Sequence, residues 1–203
     1  MRVWIFVVAF FSLSFFSVAD IKVFSVVTPT EKVKQLVEKS LAVVNDAGVS
    51  DKDKRKILRG ILLPRFDSER AAMMALGMHY KPYKDRMDEF IPLFADLVEA
   101  VYLGRLKDMR GAEVKYLGEK VEDEFAEVRV EVTSAKGNKH ILTCRLRLVR
   151  TEWKVYDILA NGISMIGVYR NEFFGVLTRR EATFDTLLEH MREKIALLKR
   201  SRR

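Results

Sequence analysis

The chain has 203 residues, with 36 Lys and Arg against 28 Asp and Glu, for a net charge of +8. Its one cysteine, Cys144, excludes an internal disulfide, and its three histidines, His79, His140 and His190, are too scattered for the usual zinc spacings. A basic excess suits nucleic acid, an anionic lipid surface or an acidic protein, and the start of the chain narrows that choice.

Arg2 precedes an apolar run from Val3 to Ala19, which ends in the small residues Ser17-Val18-Ala19 before Asp20. This is the layout of a secretory signal peptide over residues 1–19, leaving residues 20–203 as one domain. The run has 17 residues, fewer than the roughly 20 apolar residues of a spanning helix; an uncleaved anchor is the alternative. No cysteine follows the run, which argues against lipoprotein processing. An exported chain rarely meets nucleic acid, so its basic charge points to anionic lipid or acidic protein. Part of that charge is the tail Lys199-Arg200-Ser201-Arg202-Arg203, which reads as a solvated end.

From Thr30 to about Tyr102 the periodicity is helical. Val33, Leu36, Val37, Ser40, Leu41 and Val44 share one face, and Asn45 and Gly48 close the segment. Ser50 caps a second helix carrying Ile57, Leu58, Ile61 and Leu62, which Pro64 ends. A short helix runs from about Asp67 to Leu76 and stops at Gly77. Phe90, Leu93, Phe94, Leu97, Val98, Val101 and Tyr102 then form the clearest stripe, interrupted by Pro92, which can kink or restart the helix.

After Gly111 the period becomes 2. Val128, Val130 and Val132 alternate with Glu127, Arg129 and Glu131, and Leu142, Cys144, Leu146 and Leu148 alternate with Thr143, Arg145 and Arg147. With Gly137-Asn138 between them, these runs predict an antiparallel hairpin with one apolar and one charged face. Val114–Val121 and Trp153–Leu159 are the flanking strands. From Ser164 the helical period returns, with Phe184, Leu187, Leu188, Met191, Ile195 and Leu198 in a long terminal helix bent near Gly175. The order predicts an α+β domain: N-terminal helices, a four-stranded antiparallel-rich curved sheet and a C-terminal helix.

Catalytic motifs are few. Gly162-Ile163-Ser164-Met165-Ile166-Gly167 has one residue too many for a hydrolase nucleophile elbow, and Ser164 fits a helix N-cap. Cys144 lies in the apolar row, where a thiol behaves as a small hydrophobe. Asp157, between Tyr156 and Ile158, is either a structural carboxylate or the base of an isomerase-like enzyme acting on an apolar small molecule.

The stretch Trp153-Lys154-Val155-Tyr156-Asp157, Gly162-Ile163-Ser164, Tyr169-Arg170 and Phe173 forms a distinctive junction. Leu63-Pro64-Arg65-Phe66-Asp67, Leu76-Gly77 with Tyr80, and the series Phe90, Phe94, Tyr102 and Leu106 accompany it. Together they resemble the MlaC family of periplasmic phospholipid-binding proteins, also described as toluene-tolerance auxiliary components, with Tyr80 standing where that family has Trp. The resemblance runs from about Thr30 to Met191. It implies a sheet and helices, NTF2-like in shape, enclosing an apolar cavity that holds acyl tails and leaves the headgroup outside.

The resemblance also implies a monomeric, non-enzymatic periplasmic carrier with no cofactor or metal and phospholipid as its cargo. Its implied partners are an outer-membrane lipoprotein–porin complex and an inner-membrane ABC transporter complex with an MCE-type subunit. The helical side of the expected lining is Phe66, Leu76, Tyr80, Phe90, Phe94, Leu97, Val98 and Tyr102. The sheet side is Val128, Val130, Val132, Leu142, Cys144, Leu146, Leu148, Tyr156 and Ile158, and the junction adds Ile163, Tyr169 and Phe173. Asp157 and Arg170 are expected to tie strand to helix or to meet a headgroup. A periplasmic adaptor that binds only protein is the remaining alternative.

Overall fold

The computed structural model describes residues 27–102 and 109–200. The signal peptide expected over 1–19, Leu106 and the last three residues of the tail lie outside them. Helix α1 spans Pro29–Asn45: Thr28 accepts the Glu31 amide at 3.2 Å, and Pro29 occupies the first turn, where no amide donor is needed. Helix α2 spans Asp51–Leu62, capped as expected by Ser50, which accepts the Asp53 amide. Pro64 stops it in a 3₁₀ turn at Leu63–Arg65. Helix α3, Ser68–Leu76, starts at the Asp67 cap and ends at Gly77, whose φ of 55° turns the chain away. Helix α4, Met87–Tyr102, accommodates Pro92 in its second turn.

The sheet is an antiparallel meander of five strands in chain order: β1 Glu113–Glu122, β2 Phe125–Thr133, β3 Lys139–Val149, β4 Glu152–Ala160 and β5 Ile163–Ser164. The fifth strand is an addition to the four expected. Its two residues pair with Leu159 and Ala160 because Asn161 and Gly162, with φ of 49° and 84°, close a two-residue hairpin. Asn161 also accepts the Ile141 amide at 3.0 Å, fixing the turn to β3.

Two helices follow the sheet, and the bend expected near Gly175 is corrected. Helix α5, Met165–Leu177, runs straight through Gly175, and α6, Phe184–Arg200, is a separate helix. The break lies at 178–183, where Glu181 takes a φ of 64° and Thr183 and Thr186 exchange side-chain-to-amide hydrogen bonds.

The two faces of the sheet have different covers. Helix α1 lies on the apolar face over β1 and β2, and its Val33 and Leu36 join the cluster that the β2 and β3 rows form. Helices α3 and α5 reach β4 from the charged side, and α4 and α6 pack on them. The buried apolar residues therefore fall into two main clusters. One is sheet plus α1; the other is α3, α4, α5 and α6. Phe66 packs against both.

Candidate functional site

The sheet wall follows from strand alternation. Val128, Val130, Val132, Cys144 and Leu146 are buried on one face, joined by Trp153 and Val155 from β4. Leu142 and Leu148, at the margins of the same row, are half-buried, as are Ile61 and Leu62 of α2. Burial without a polar neighbour pushes the Cys144 thiol up to about 12, so it stays a neutral hydrophobe at physiological pH.

The helical wall is aromatic. Phe90, Phe94 and Leu97 are fully buried on α4. Phe94 meets Tyr169 and Phe173 of α5 edge-on, with ring centroids 5.3 and 5.7 Å apart. Phe90 stacks on Phe94 at 5.6 Å. Such rings prefer offset and edge-to-face contact, which fixes α4 against α5. Leu76 is buried in this cluster, and Tyr80 and Val98 are half-buried at its edge. The side chain of Tyr102 lies outside the described residues.

The sheet rows and the α4 stripe thus do not form one interdigitated core. The sheet row is covered by α1, and the stripe by α5 and α6. Several contacts join the halves. Phe66 forms a parallel bridge with Val155, and the next amide, Asp67, donates to the Val155 carbonyl at 2.8 Å. Arg59 of α2 pairs with Asp96, at 3.0 Å, and with Glu99, both on α4.

Asp67 also carries the α3 start. Its carboxylate accepts the Arg70 amide and, at 2.7 Å, both Nε and a terminal nitrogen of Arg147 on β3. Both nitrogens meet the same oxygen, Oδ2, and this charge-assisted contact holds the Arg147 guanidinium more firmly protonated than usual.

Asp157 has no exposed surface. One carboxylate oxygen accepts the Ile166 amide at 3.1 Å; the other accepts the Ser164 hydroxyl at 2.6 Å and lies 3.7 Å from Arg145. Ser164 in turn caps α5 by accepting the Gly167 amide at 2.8 Å. The carboxylate therefore pins β4 to the start of α5. This overturns the expected Asp157–Arg170 tie: Arg170 is exposed, and its Nε donates to the Met74 carbonyl at 2.7 Å, joining α5 to α3. The residues are thirteen apart, and the cap and first turn of α5 consume the carboxylate before Arg170 comes round.

Three expected lining residues are elsewhere. A bulge in β4 leaves Tyr156 between the Val155 and Asp157 pairings, placing it on the charged face against Phe125, 6.1 Å away, and under the Arg70 guanidinium. Ile158 and Ile163 are 37 % and 67 % exposed and belong to neither cluster, because β4 and β5 run on beyond the part of the face that α1 covers. Conversely, Val33 and Leu36 join the sheet cluster, a long-range contact that their helical period does not reveal. The histidines are dispersed: His79 meets Phe174, His190 meets Glu172, and His140 is exposed on β3.

Comparison with known proteins assigns the fold. The MlaC protein family profile matches residues 34–193, most of the chain. The chain belongs to the MlaC family. An MlaC relative from Haemophilus influenzae, the intermembrane phospholipid transport system binding protein, is 30 % identical over 145 residues, which is 68 % of this chain and 67 % of that one. A phospholipid-binding protein of Ralstonia solanacearum, solved in complex with a phospholipid, superimposes with a TM-score of 0.73 at 26 % identity, over 83 % of this chain and 97 % of that one. The MlaC match covers most of both clusters, the Phe66 bridge and the β4–α5 junction.

Proposed function

We propose that this chain is a periplasmic phospholipid carrier that takes up the acyl tails of one lipid between its two apolar clusters. The observation that carries this reading is the divided core. A domain of this size ordinarily has one contiguous core with small satellites; here two large clusters meet through Phe66, and their margins hold half-buried apolar side chains such as Val98, Leu142 and Leu148. The phospholipid-bound relative and membership of the MlaC family support the same reading.

The physical requirement is severe. Two 16-carbon tails in water are disfavoured by roughly 20 kcal/mol or more, at about 0.8 kcal/mol per CH₂. A carrier must therefore offer walls as apolar as a bilayer interior with their polar groups paired. The buried side chains of each cluster are apolar or aromatic, and the pairs Arg145–Glu127 and Arg147–Asp67 lie on the charged face of the sheet, away from the β2 and β3 apolar rows. Because such a pocket matches the bilayer, lipid exchange is close to neutral, and direction must come from elsewhere. We assign that role to an ATP-driven inner-membrane ABC complex with an MCE-type subunit, with an outer-membrane lipoprotein–porin complex as the other partner. Export through a signal peptide over residues 1–19 places the carrier between them.

The enzymatic alternative finds less support. Asp157 has both oxygens engaged and no exposed surface, so no lone pair is directed at a substrate. Organic extraction of the purified protein followed by mass spectrometry tests the carrier reading. The expected result is a two-chain phospholipid at near one per chain. Lipid-free protein that retains tight protein partners would instead make it an adaptor.

A further inference from the structure

Helices α3 and α5 both begin beside β4, where the Asp67 amide donates to the Val155 carbonyl and Asp157 accepts the Ile166 amide. At about 1.5 Å per residue the nine residues of α3 span roughly 13 Å along the helix, from the Asp67 cap to Gly77. Several unusual side chains gather at that far end. Met78 is 74 % exposed, immediately after Gly77, and Phe174 is 48 % exposed one turn before the end of α5. They are neighbours: the His79 ring lies 5.8 Å from the Phe174 ring, and the Arg170 side chain packs over Gly77 while donating to the Met74 carbonyl.

The surroundings are basic. Residues 77–86 and 170–183 carry six Lys and Arg (Lys81, Lys84, Arg86, Arg170, Arg179, Arg180) against Asp85, Glu172 and Glu181. Glu172 is turned to Lys194 and His190, and Arg86 to Glu89 and Asp185. Lys81, Lys84, Arg170, Arg179 and Arg180 are all exposed, and Arg180 reaches only the equally exposed Glu181, at 3.8 Å. The 178–183 loop that bears Arg179 and Arg180 lies beside this segment, since Tyr83 stacks on Phe184 at 4.4 Å.

We infer that this end of the helical layer docks on an anionic phospholipid bilayer. Met78 and Phe174 are exposed single side chains and not a continuous apolar stripe of the kind a peptide helix packs on. They suit shallow insertion at the acyl–headgroup boundary, while flexible cations around them meet lipid phosphates. Neither element is sufficient for lasting attachment, so the combination gives reversible contact of the kind a shuttle requires. The inference deepens the carrier reading, but its test reads membrane attachment rather than lipid content.

The test is sedimentation of the exported protein, its N-terminus established by mass spectrometry, with sucrose-loaded vesicles. One vesicle set is phosphatidylcholine; the other is phosphatidylcholine mixed with phosphatidylglycerol. The expected result is attachment to the mixed vesicles only, weakened by salt. Replacing Lys81, Arg179 and Arg180 by Gln should lower partitioning roughly a hundredfold, at about fivefold per cation. Met78→Ser with Phe174→Ser should lower it at least about tenfold, with melting temperature and co-purified lipid unchanged, because all five residues are exposed. Equal attachment to both vesicle sets, or attachment indifferent to these substitutions, would overturn the inference. So would a protein that ignores vesicles while a photo-crosslinker at position 78 captures an envelope protein. Lipid-free protein that still attaches would refute the carrier reading and leave this one standing.

Discussion

The helical cluster has a closed aromatic centre, whereas the sheet cluster is mainly aliphatic; both carry half-buried apolar side chains at their margins. In the first, Phe90, Phe94, Tyr169 and Phe173 hold three ring contacts between α4 and α5, and the α6 residues Leu187, Leu188 and Met191 pack in the same cluster. In the second, one helix covers the middle of the β2–β3 rows, and Leu142, Leu148, Val114 and Tyr116 remain half-buried around it. The difference teaches that the two halves do different work. The aromatic cluster supplies folding stability without needing a ligand. The margins between the clusters supply apolar surface that a ligand can complete.

The largest expected effect breaks the closed half. Phe94→Ala removes a fully buried ring from the centre of the aromatic set and should destabilise the protein by about 3–5 kcal/mol in urea unfolding. A loss below about 1 kcal/mol would mean that the helical cluster is as open as the sheet margin.

Added bulk sharpens the contrast within the sheet. Val130 is 2 % exposed, so Val130→Trp should overpack the strand against its neighbours and lower stability by about 1–3 kcal/mol. Leu142→Trp, at the open margin of the adjacent strand, should leave stability within about 1 kcal/mol and expel bound lipid instead. Lipid content and thermal unfolding measured on the same preparations separate the two; identical behaviour at both positions would erase the distinction between covered and open wall.

The joint between the halves gives a smaller effect. A double-mutant cycle between Asp157→Ala and Ser164→Ala should show coupling of about 0.5–3 kcal/mol, because the two side chains share the α5 cap. The cycle between Asp157→Ala and Arg170→Ala should show less than about 0.5 kcal/mol. Strong coupling in the second cycle would restore the strand-to-helix tie that the geometry replaces.

The smallest effect lies between α5 and α6. Burial works to raise the Glu172 carboxyl, but the hydrogen bonds from Lys194 and His190 prevail and hold it below its ordinary 4.5. A carboxyl with a depressed folded value stabilises the protein above the unfolded value, and that contribution disappears as pH falls through the folded one. Melting temperature should therefore decline below about pH 4.5, and Glu172→Gln should flatten that decline. The contribution is below about 1 kcal/mol, or roughly 2–4 °C at most. An unchanged acid limb in the Gln variant would remove Glu172 from the account.

Much of this was legible in the sequence because local periodicity reports which face is buried. The α4 stripe, the β2 and β3 rows, and the caps at Ser50 and Ser164 are all local signals. The MlaC resemblance likewise rested on a contiguous junction. What covers each face is a long-range fact. The 3.6 period of Phe90–Val101 and the 2.0 period of Val128–Val132 fit one another as facing walls, yet each is taken by another element. The Tyr156 bulge reverses a side chain without any composition cue, and the choice of Arg170 partner depends on how α5 lies over α3. Ile158 and Ile163 were placed by hydrophobicity, which records what a residue can bury and not whether a neighbour reaches it.

The most direct test of the central claim, that acyl tails lie between the clusters, is photo-crosslinking from defined positions. Benzoylphenylalanine introduced at Val98 and at Leu142, on the two open margins, should on illumination of the exported protein give adducts heavier by the mass of one phospholipid. The same probe at Phe184, buried within the helical cluster, should give none. Lipid adducts absent from 98 and 142, with links only to neighbouring segments of the chain, would contradict the account.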